Sequence, residues 1–130
     1  MSALEIWRQV TGHYYELKLE GDSVVIEATD FSQQLPPGLI GQLKAHKSEI
    51  LELLRYQEEA DSLLLGSTKR LAASWPKGCD LDDDPRWRQA DKELHAAYWT
   101  LNIGRLKAVL ELREKLAMKL FDAHRRGAAA

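Results

Sequence analysis

Residues 14–28 alternate between apolar and polar side chains with the period of two that indicates a half-buried β-strand. Gly21 and Asp22 divide this stretch, and glycine at the first central position favours a type II′ turn. The register that follows predicts these cross-strand pairs: Tyr15 with Ala28, Glu16 with Glu27, Leu17 with Ile26, Lys18 with Val25, Leu19 with Val24 and Glu20 with Ser23. The pattern therefore predicts an antiparallel hairpin.

The two faces of this hairpin differ in polarity. The apolar face consists of Tyr15, Leu17, Leu19, Val24, Ile26 and Ala28. The opposite face, called the outer face below, consists of Glu16, Lys18, Val25, Glu27 and Thr29. An isolated two-stranded hairpin is marginal in water, so we expect neighbouring helices to cover the apolar face. The outer face and both strand edges then remain available to a partner.

Helical patterns lie on both sides of the hairpin. Ser2 is a good N-cap with Glu5 at the capping-box position, and this first helix is expected to end at Gly12. The Pro36-Pro37 pair favours the start of a second helix, since proline suits the first helical position. A third helix is expected over residues 48–55, after a polar junction at His46. The element order over residues 1–56 is thus αββαα.

Residues 57–130 read as an all-helical extension, so the fold class is α+β. We expect a helix at about 57–75, weakened at Gly66, a linker at 76–83 and a helix or helical hairpin at 84–124. The apolar stripe changes phase after residues 102–104. Both a continuous helix pairing with another chain and a break there fit this pattern, and we favour the break because it gives a compact protomer.

Composition fits one domain, or one small domain with an extension, in a chain of 130 residues. Residues 1–60 carry 5 Lys and Arg against 10 Asp and Glu, whereas residues 61–130 carry 13 against 10, giving net charges of −5 and +3. Cys79 is the only cysteine, which is typical of a reducing compartment. We find no signal peptide and no apolar run of membrane-spanning length, and we expect a cytoplasmic protein without membrane contact.

Residues 3–55 contain several short motifs that, taken together, are typical of one family. They are Gly21-Asp22, the alternating Val24 and Ile26, the series Leu35, Leu39 and Leu43, and His46-Lys47-Ser48-Glu49-Ile50-Leu51. With these motifs, residues 3–55 resemble the TubC N-terminal docking domain family, whose αββαα modules begin nonribosomal peptide synthetase subunits. Related modules occur in proteins of mobile elements. The resemblance departs from the family pattern at residues 29–34, and no synthetase domain follows.

The resemblance implies a non-enzymatic homodimer whose exposed hairpin captures a short tail of another polypeptide. The partner-binding residues would be Tyr14, Glu16, Lys18, Val25 and Glu27. We expect β-augmentation, in which an extended partner segment pairs with a strand edge and side chains of the outer face select it. The outer face is mainly acidic, so the segment should be basic or mainly apolar. A partner cation would also relieve the repulsion between Glu16 and Glu27, which face each other.

A second hypothesis is an accessory factor of DNA processing or replication on a mobile genetic element. The mildly basic end of the chain would then contact phosphates. Its candidate residues are Arg105, Lys107, Arg113, Lys115, Lys119, Arg125 and Arg126. A net charge of +3 over seventy residues is small for a nucleic-acid surface, and a solvated helix face explains the same pattern.

The other polar motifs do not indicate a catalytic or metal-binding site. The aspartates at 82–84 suit helix capping better than a cation site, and Asp91 with His95 suits a surface pair at i and i+4. Among the tryptophans, Trp99 is the best candidate for an exposed contact because it lies off the apolar stripe. No nucleophile with a base, phosphate loop or metal cluster is apparent, so we expect neither an enzyme, nor a metal, nor a cofactor.

Overall fold

A computed structural model describes residues 2–13, 15–28 and 35–129, with side-chain burial up to residue 127. The fold is α+β, and its elements are α1 (Ala3–Gly12), β1 (Tyr15–Glu20), β2 (Ser23–Ala28), α2 (Pro37–Ala45), α3 (Lys47–Ser74), α4 (Pro85–Tyr98) and α5 (Ile103–Ala129). The chain forms two compact units, Met1–Glu58 and Glu59–Ala130. The predicted connector at residues 29–34 lies outside the described residues.

Helix α1 begins and ends where the sequence predicts. The Ser2 side chain accepts a hydrogen bond from the Glu5 backbone N–H at 3.2 Å, which satisfies one of the free amides of the first turn. Ile6 and Val10 are fully buried, and they lie four residues apart on one side of the helix. Helix α1 therefore presents a narrow apolar face to the core of its unit.

The hairpin has the predicted register in full, including the direct pairing of Glu16 with Glu27. Gly21 has a φ of +62°, whereas Asp22 does not adopt a positive φ. This sign pattern is that of a type II′ turn, whose first central position only glycine occupies without steric cost. The turn chemistry and the alternation of residue types thus determine the hairpin together.

The first unit has its core between the apolar face of the hairpin and the helices. The buried members are Ile6, Val10, Leu17, Leu39, Leu43, Ile50 and Leu54. Tyr15, Leu19 and Val24 pack against them, as the alternation predicts. Ile26 is different, because it points to the same side but stays 40% exposed. The cover of the hairpin is therefore incomplete near the middle of β2.

His46 separates α2 from α3, as expected from its polar setting between two apolar stripes. Its backbone N–H donates to the Gln42 carbonyl, and its carbonyl accepts from the Ile50 N–H, both at 3.0 Å. The Nδ1 atom lies 2.8 Å from a carboxylate oxygen of Glu49. The junction thus ends one helix and begins the next within a single residue.

Helix α3 is longer than the sequence patterns indicate. The expected helices at 48–55 and 57–75 are one continuous helix, and the expected weakening at Gly66 does not interrupt it. The helix is regular through this segment, in which Ser67 is 1% exposed whereas Leu65 and Thr68 are exposed. Burial of the apolar residues of α3, such as Leu53, Leu54 and Leu71, offsets the low helix propensity of Gly and Ser, which amounts to at most about 1 kcal/mol per residue.

The second unit has its own core, formed by residues of α3, α4 and α5 together with the loop that precedes α4. Its buried members are Leu71, Leu81, Trp87, Ala117, Leu120 and Phe121. Trp75 packs on Phe121 with ring centroids 4.8 Å apart and meets Trp87 edge to face. Trp87 is therefore a core residue of this unit, whereas Trp75 packs at the edge of the core and is 37% exposed.

Helix α4 begins at Pro85, with Asp84 as its N-cap. The Asp84 carboxylate accepts from the Arg86 backbone N–H at 2.8 Å and also pairs with the Arg86 guanidinium. These hydrogen bonds, that to the side chain foremost, lower the pKa of Asp84. The capping function expected for the aspartates at 82–84 thus falls on Asp84.

Helices α4 and α5 form the favoured helical hairpin, but the break lies earlier than expected. Residues 99–102 separate the helices, and Gly104 belongs to the first turn of α5. Asn102 caps α5 by accepting from the Arg105 N–H at 3.1 Å. Leu101 has a φ of +58°, which turns the chain into this cap. The break overlaps the predicted residues 102–104 only at Asn102, whose side chain decides where α5 begins.

Helix α5 continues past the expected end at His124 to Ala129. Arg125 holds this last part, since its Nη2 donates to the Ser74 carbonyl at 2.7 Å and its Nη1 lies 3.1 Å from Asp122. A basic side chain reaching the terminal carbonyls of a neighbouring helix is favourable. No helix in the described part of the chain has both the length and the apolar character needed to cross a bilayer.

Candidate functional site

The outer face of the hairpin is solvent-exposed for the residues that carry charge. Glu16, Lys18 and Glu27 are about half exposed, and Val25 is half-buried beside them. Tyr14, also predicted to bind a partner, lies outside the described residues. The structure thus brings four of the five predicted partner-binding residues onto one surface.

Lys18 changes the electrostatic interpretation of this surface. Its Nζ lies 2.7 Å from Glu27 and 3.7 Å from Glu16, so one cation bridges the two carboxylates that face each other across the strands. The hydrogen bond with Glu27 and the attraction of that carboxylate raise the pKa of Lys18. We expected a cation of the partner to relieve the repulsion between Glu16 and Glu27. That expectation was wrong, because Lys18 of the hairpin already does so.

A groove of about 350 Å³ lies on the other side of β2. Its lining residues are Ser23, Val24, Ile26, Ile40, Leu43, Lys44, Lys47 and Ile50. Ile26 and Ile40 are 40% and 38% exposed, although neither has a polar atom beyond the backbone. This groove, called the β2 groove below, is where the incomplete cover of the hairpin leaves apolar surface in contact with water.

Two features of the β2 groove are chemically suited to an extended peptide. Within the described residues the sheet has only β1 and β2, so the outer edge of β2 pairs with no strand there. Lys44 and Lys47 line the groove, and both residues are exposed. A strand edge offers backbone hydrogen bonds, the groove accepts alternate apolar side chains, and the ammonium groups attract carboxylates.

The β2 groove was not predicted, although one residue of α2 indicated it. Helix α2 has Leu39, Ile40 and Leu43 on its apolar side, but only Leu39 and Leu43 lie four residues apart and are buried. Ile40 lies at the edge of that stripe, three residues before Leu43, and the core leaves it 38% exposed. The juxtaposition of Ile40 with Ile26 depends on how α2 packs against the hairpin, which periodicity does not specify.

The basic residues of α5 differ in their surroundings. Arg113 pairs with Asp91 at 2.8 Å, its guanidinium lies 4.2 Å from the Trp87 ring centroid, and its side chain is 16% exposed. Arg125 is bound to Asp122 and Ser74, as described above. The exposed remainder consists of Arg105, Lys107, Lys115, Lys119 and Arg126. Two of the seven candidate phosphate contacts are therefore engaged in intramolecular interactions.

The other candidates from the sequence, Asp91, His95 and Trp99, all contact neighbouring side chains. Asp91 contacts Arg113 rather than forming the expected surface pair with His95, which instead lies beside Trp99. Trp99 is half-buried against Tyr98, with ring centroids 5.0 Å apart, so the expected exposed contact is only partly available. Among the described residues, no group of three or more His, Cys, Asp or Glu side chains could hold a metal ion.

No protein-family model, curated protein or solved structure matches this chain. The resemblance to the TubC N-terminal docking domain therefore remains a prediction.

Proposed function

We propose that this protein is a non-enzymatic docking module that binds an extended segment of another polypeptide at the β2 edge. The observation that carries the proposal is the β2 groove, in which Ile26 and Ile40 remain substantially exposed beside a strand edge that pairs with no other described strand. An added strand would place alternate side chains against these two isoleucines. Its backbone would satisfy the N–H and C=O groups along β2.

The charges beside the groove favour a segment that combines apolar and acidic residues. Lys44 and Lys47 line the groove, and neither forms an ion pair with a carboxylate of the described residues. The acidic outer face is less selective than the sequence indicated, because Lys18 already bridges its two glutamates. Of the basic or mainly apolar segment expected from the sequence, we keep the apolar character and replace the basic residues with Asp or Glu.

The docking of a short tail is also what the resemblance to the TubC family implies. We place this function in the cytoplasm, on the ground that the single cysteine, Cys79, is a free thiol. The DNA-processing hypothesis is less well supported, because Arg113 and Arg125 are already engaged by Asp91, Asp122 and the Ser74 carbonyl.

Selection from a library of displayed random peptides tests the proposal. Peptides enriched on the full chain should alternate apolar residues and contain Asp or Glu. Their affinity for the Ile40→Glu variant should fall about tenfold or more, because a carboxylate would enter the apolar groove. The combined Lys44→Glu and Lys47→Glu variant should reverse the charge preference of the selected peptides.

Leu65→Glu is the matched control, since Leu65 is an exposed leucine of α3 in the other unit. This variant should bind the selected peptides like the wild type. Binding should also change little between low and moderate salt, whereas binding dominated by phosphate contacts collapses over that range. Lack of peptide enrichment, or enriched peptides that bind the Ile40→Glu variant equally well, would contradict docking at this groove.

A further inference from the structure

A second apolar groove, separate from the β2 groove, lies between α4 and α5. It has a volume of about 430 Å³, and its floor includes Ala90, Val109, Leu112 and Leu116. Leu112 is 64% exposed, the highest exposure among the large hydrophobic residues of the described chain. An isolated exposed leucine is ordinary, but one that continues an apolar groove marks a contact surface.

The charges at the two ends of this groove are complementary to themselves, and Arg113, the third charged residue of its lining, is already paired with Asp91. Arg86 lines one end and Glu93 the other, seven residues later on the same helix, with Gln89 between them. Seven residues are two helical turns, so both side chains lie on the same side of α4, about 10 Å apart along the axis. Val109 and Leu116 have the same seven-residue spacing on α5, with Leu112 between them.

This arrangement is that of a surface that fits a second copy of itself. Consider a two-fold axis that lies in the interface, runs at right angles to the helices and passes Gln89 and Leu112. It brings the two copies of α4 together in antiparallel orientation, so that Arg86 of each copy lies beside Glu93 of the other. The same rotation sets Val109 against Leu116 of the second copy and brings the two Leu112 side chains together. Interfaces with two-fold symmetry require this kind of self-complementarity.

We propose that the α4–α5 groove is the interface of a homodimer of this chain. The charge pairs fix the antiparallel register, and Leu112 supplies the apolar centre that a dimer removes from water. Arg86 remains able to take part while paired with Asp84, because its side chain is 66% exposed and guanidinium has five N–H donors. Helix α4 is only about 21 Å long, so the interface is small and the dimer should be weak.

Sedimentation equilibrium of the full chain at increasing concentration tests this dimer. The wild type should change from monomer to dimer across the micromolar range. Leu112→Glu should weaken dimerisation at least about tenfold, since two carboxylates would meet at the centre. Leu65→Glu makes the same substitution at a leucine that is 56% exposed outside the groove, and it should leave dimerisation unchanged.

A charge exchange tests the register independently of folding. Arg86→Glu puts acidic residues at both ends of the groove, and Glu93→Arg puts basic residues at both ends, so each variant alone should be mainly monomeric. A mixture of the two should form a heterodimer, because every acidic end then meets a basic end. Loss of a merely structural interaction within one chain would not be restored by mixing.

Each result either supports the interface or overturns it. A wild type that stays monomeric up to millimolar concentration overturns the dimer. Dimerisation unaffected by Leu112→Glu, or charge variants that do not form a heterodimer, assigns self-association to another surface and overturns this one. Peptide docking at the β2 groove is measured separately on the other unit, so neither result decides the other.

Discussion

The Lys18 ammonium nitrogen lies 2.7 Å from a carboxylate oxygen of Glu27, on the neighbouring strand. Glu27 directly faces Glu16, and Lys18 is close enough to both to bridge them. Two like charges directly opposite each other destabilise a hairpin, and a cation between them converts this repulsion into attraction. The outer face is therefore stabilised by residues of the hairpin alone.

Replacing Lys18 with Met should lower the melting temperature at neutral pH, because Glu16 and Glu27 would then repel each other without a bridge. The folded-state pKa of Lys18 is raised above its ordinary value, so its stabilising contribution is complete below that value and is lost as the pH rises through the folded-state pKa. The difference between wild type and variant should therefore shrink above a pH of about 10.

Circular dichroism melts of both proteins from neutral to alkaline pH measure this difference directly. Lys69→Met is the control, since Lys69 is exposed on α3 and its removal leaves the hairpin unchanged. A Lys18→Met protein as stable as the wild type at neutral pH would show that the bridge contributes nothing.

Replacing Ser67 with Ala should raise the free energy of unfolding by about 1 kcal/mol. Ser67 is 1% exposed, and its hydroxyl oxygen has no hydrogen-bond partner within the described residues. A buried hydroxyl that loses its water without gaining a partner is unfavourable, and alanine fills nearly the same space with higher helix propensity. Urea denaturation measures the change.

Ser62→Ala separates the two causes, because Ser62 lies on the same helix but is exposed. Its gain should be limited to helix propensity, about 0.5 kcal/mol. Equal gains at positions 62 and 67 would mean that burial of the hydroxyl has no energetic cost.

Leu101 should be a site where glycine is more stabilising than alanine. Its φ of +58° lies in the left-handed region, which costs a residue with a Cβ about 1 kcal/mol or more. Leu101→Gly and Leu101→Ala both remove the side chain, but only glycine removes the backbone strain. Thermal or urea denaturation should therefore place the glycine variant about 1 kcal/mol above the alanine variant. The ordinary order, with alanine above glycine, would contradict the strained turn.

Replacing Arg113 with Lys should destabilise the protein by about 1 kcal/mol, and replacing it with Ala by about 2 kcal/mol. Lysine retains a positive charge for Asp91, but it lacks the planar group that lies 4.2 Å from the Trp87 ring centroid. Asp91→Asn should cost less than either, since it leaves this stacking in place. Urea denaturation of the three variants gives the order, and an Arg113→Lys protein equal to the wild type would assign the effect to charge alone.

The sequence by itself determined those secondary-structure elements that depend only on interactions between residues close together in the chain. The alternation of residues 15–28 and the Gly21 turn determined the register, because a slip of one residue would move every apolar side chain of the hairpin to the wrong face. Ser2 and Asp84 likewise marked helix starts, since capping involves only residues within one turn. Local chemistry of this kind requires no knowledge of the rest of the chain.

Tertiary packing decided the properties that depend on residues far apart in sequence. It carried α3 without interruption through Gly66 and Ser67, engaged Arg113 between Trp87 and Asp91, and left Ile26 and Ile40 exposed beside each other. Periodicity indicates on which side of its helix or strand a residue lies, but not whether another element covers that side. Both grooves exist because neighbouring elements leave apolar side chains uncovered, and only packing in three dimensions determines where that happens.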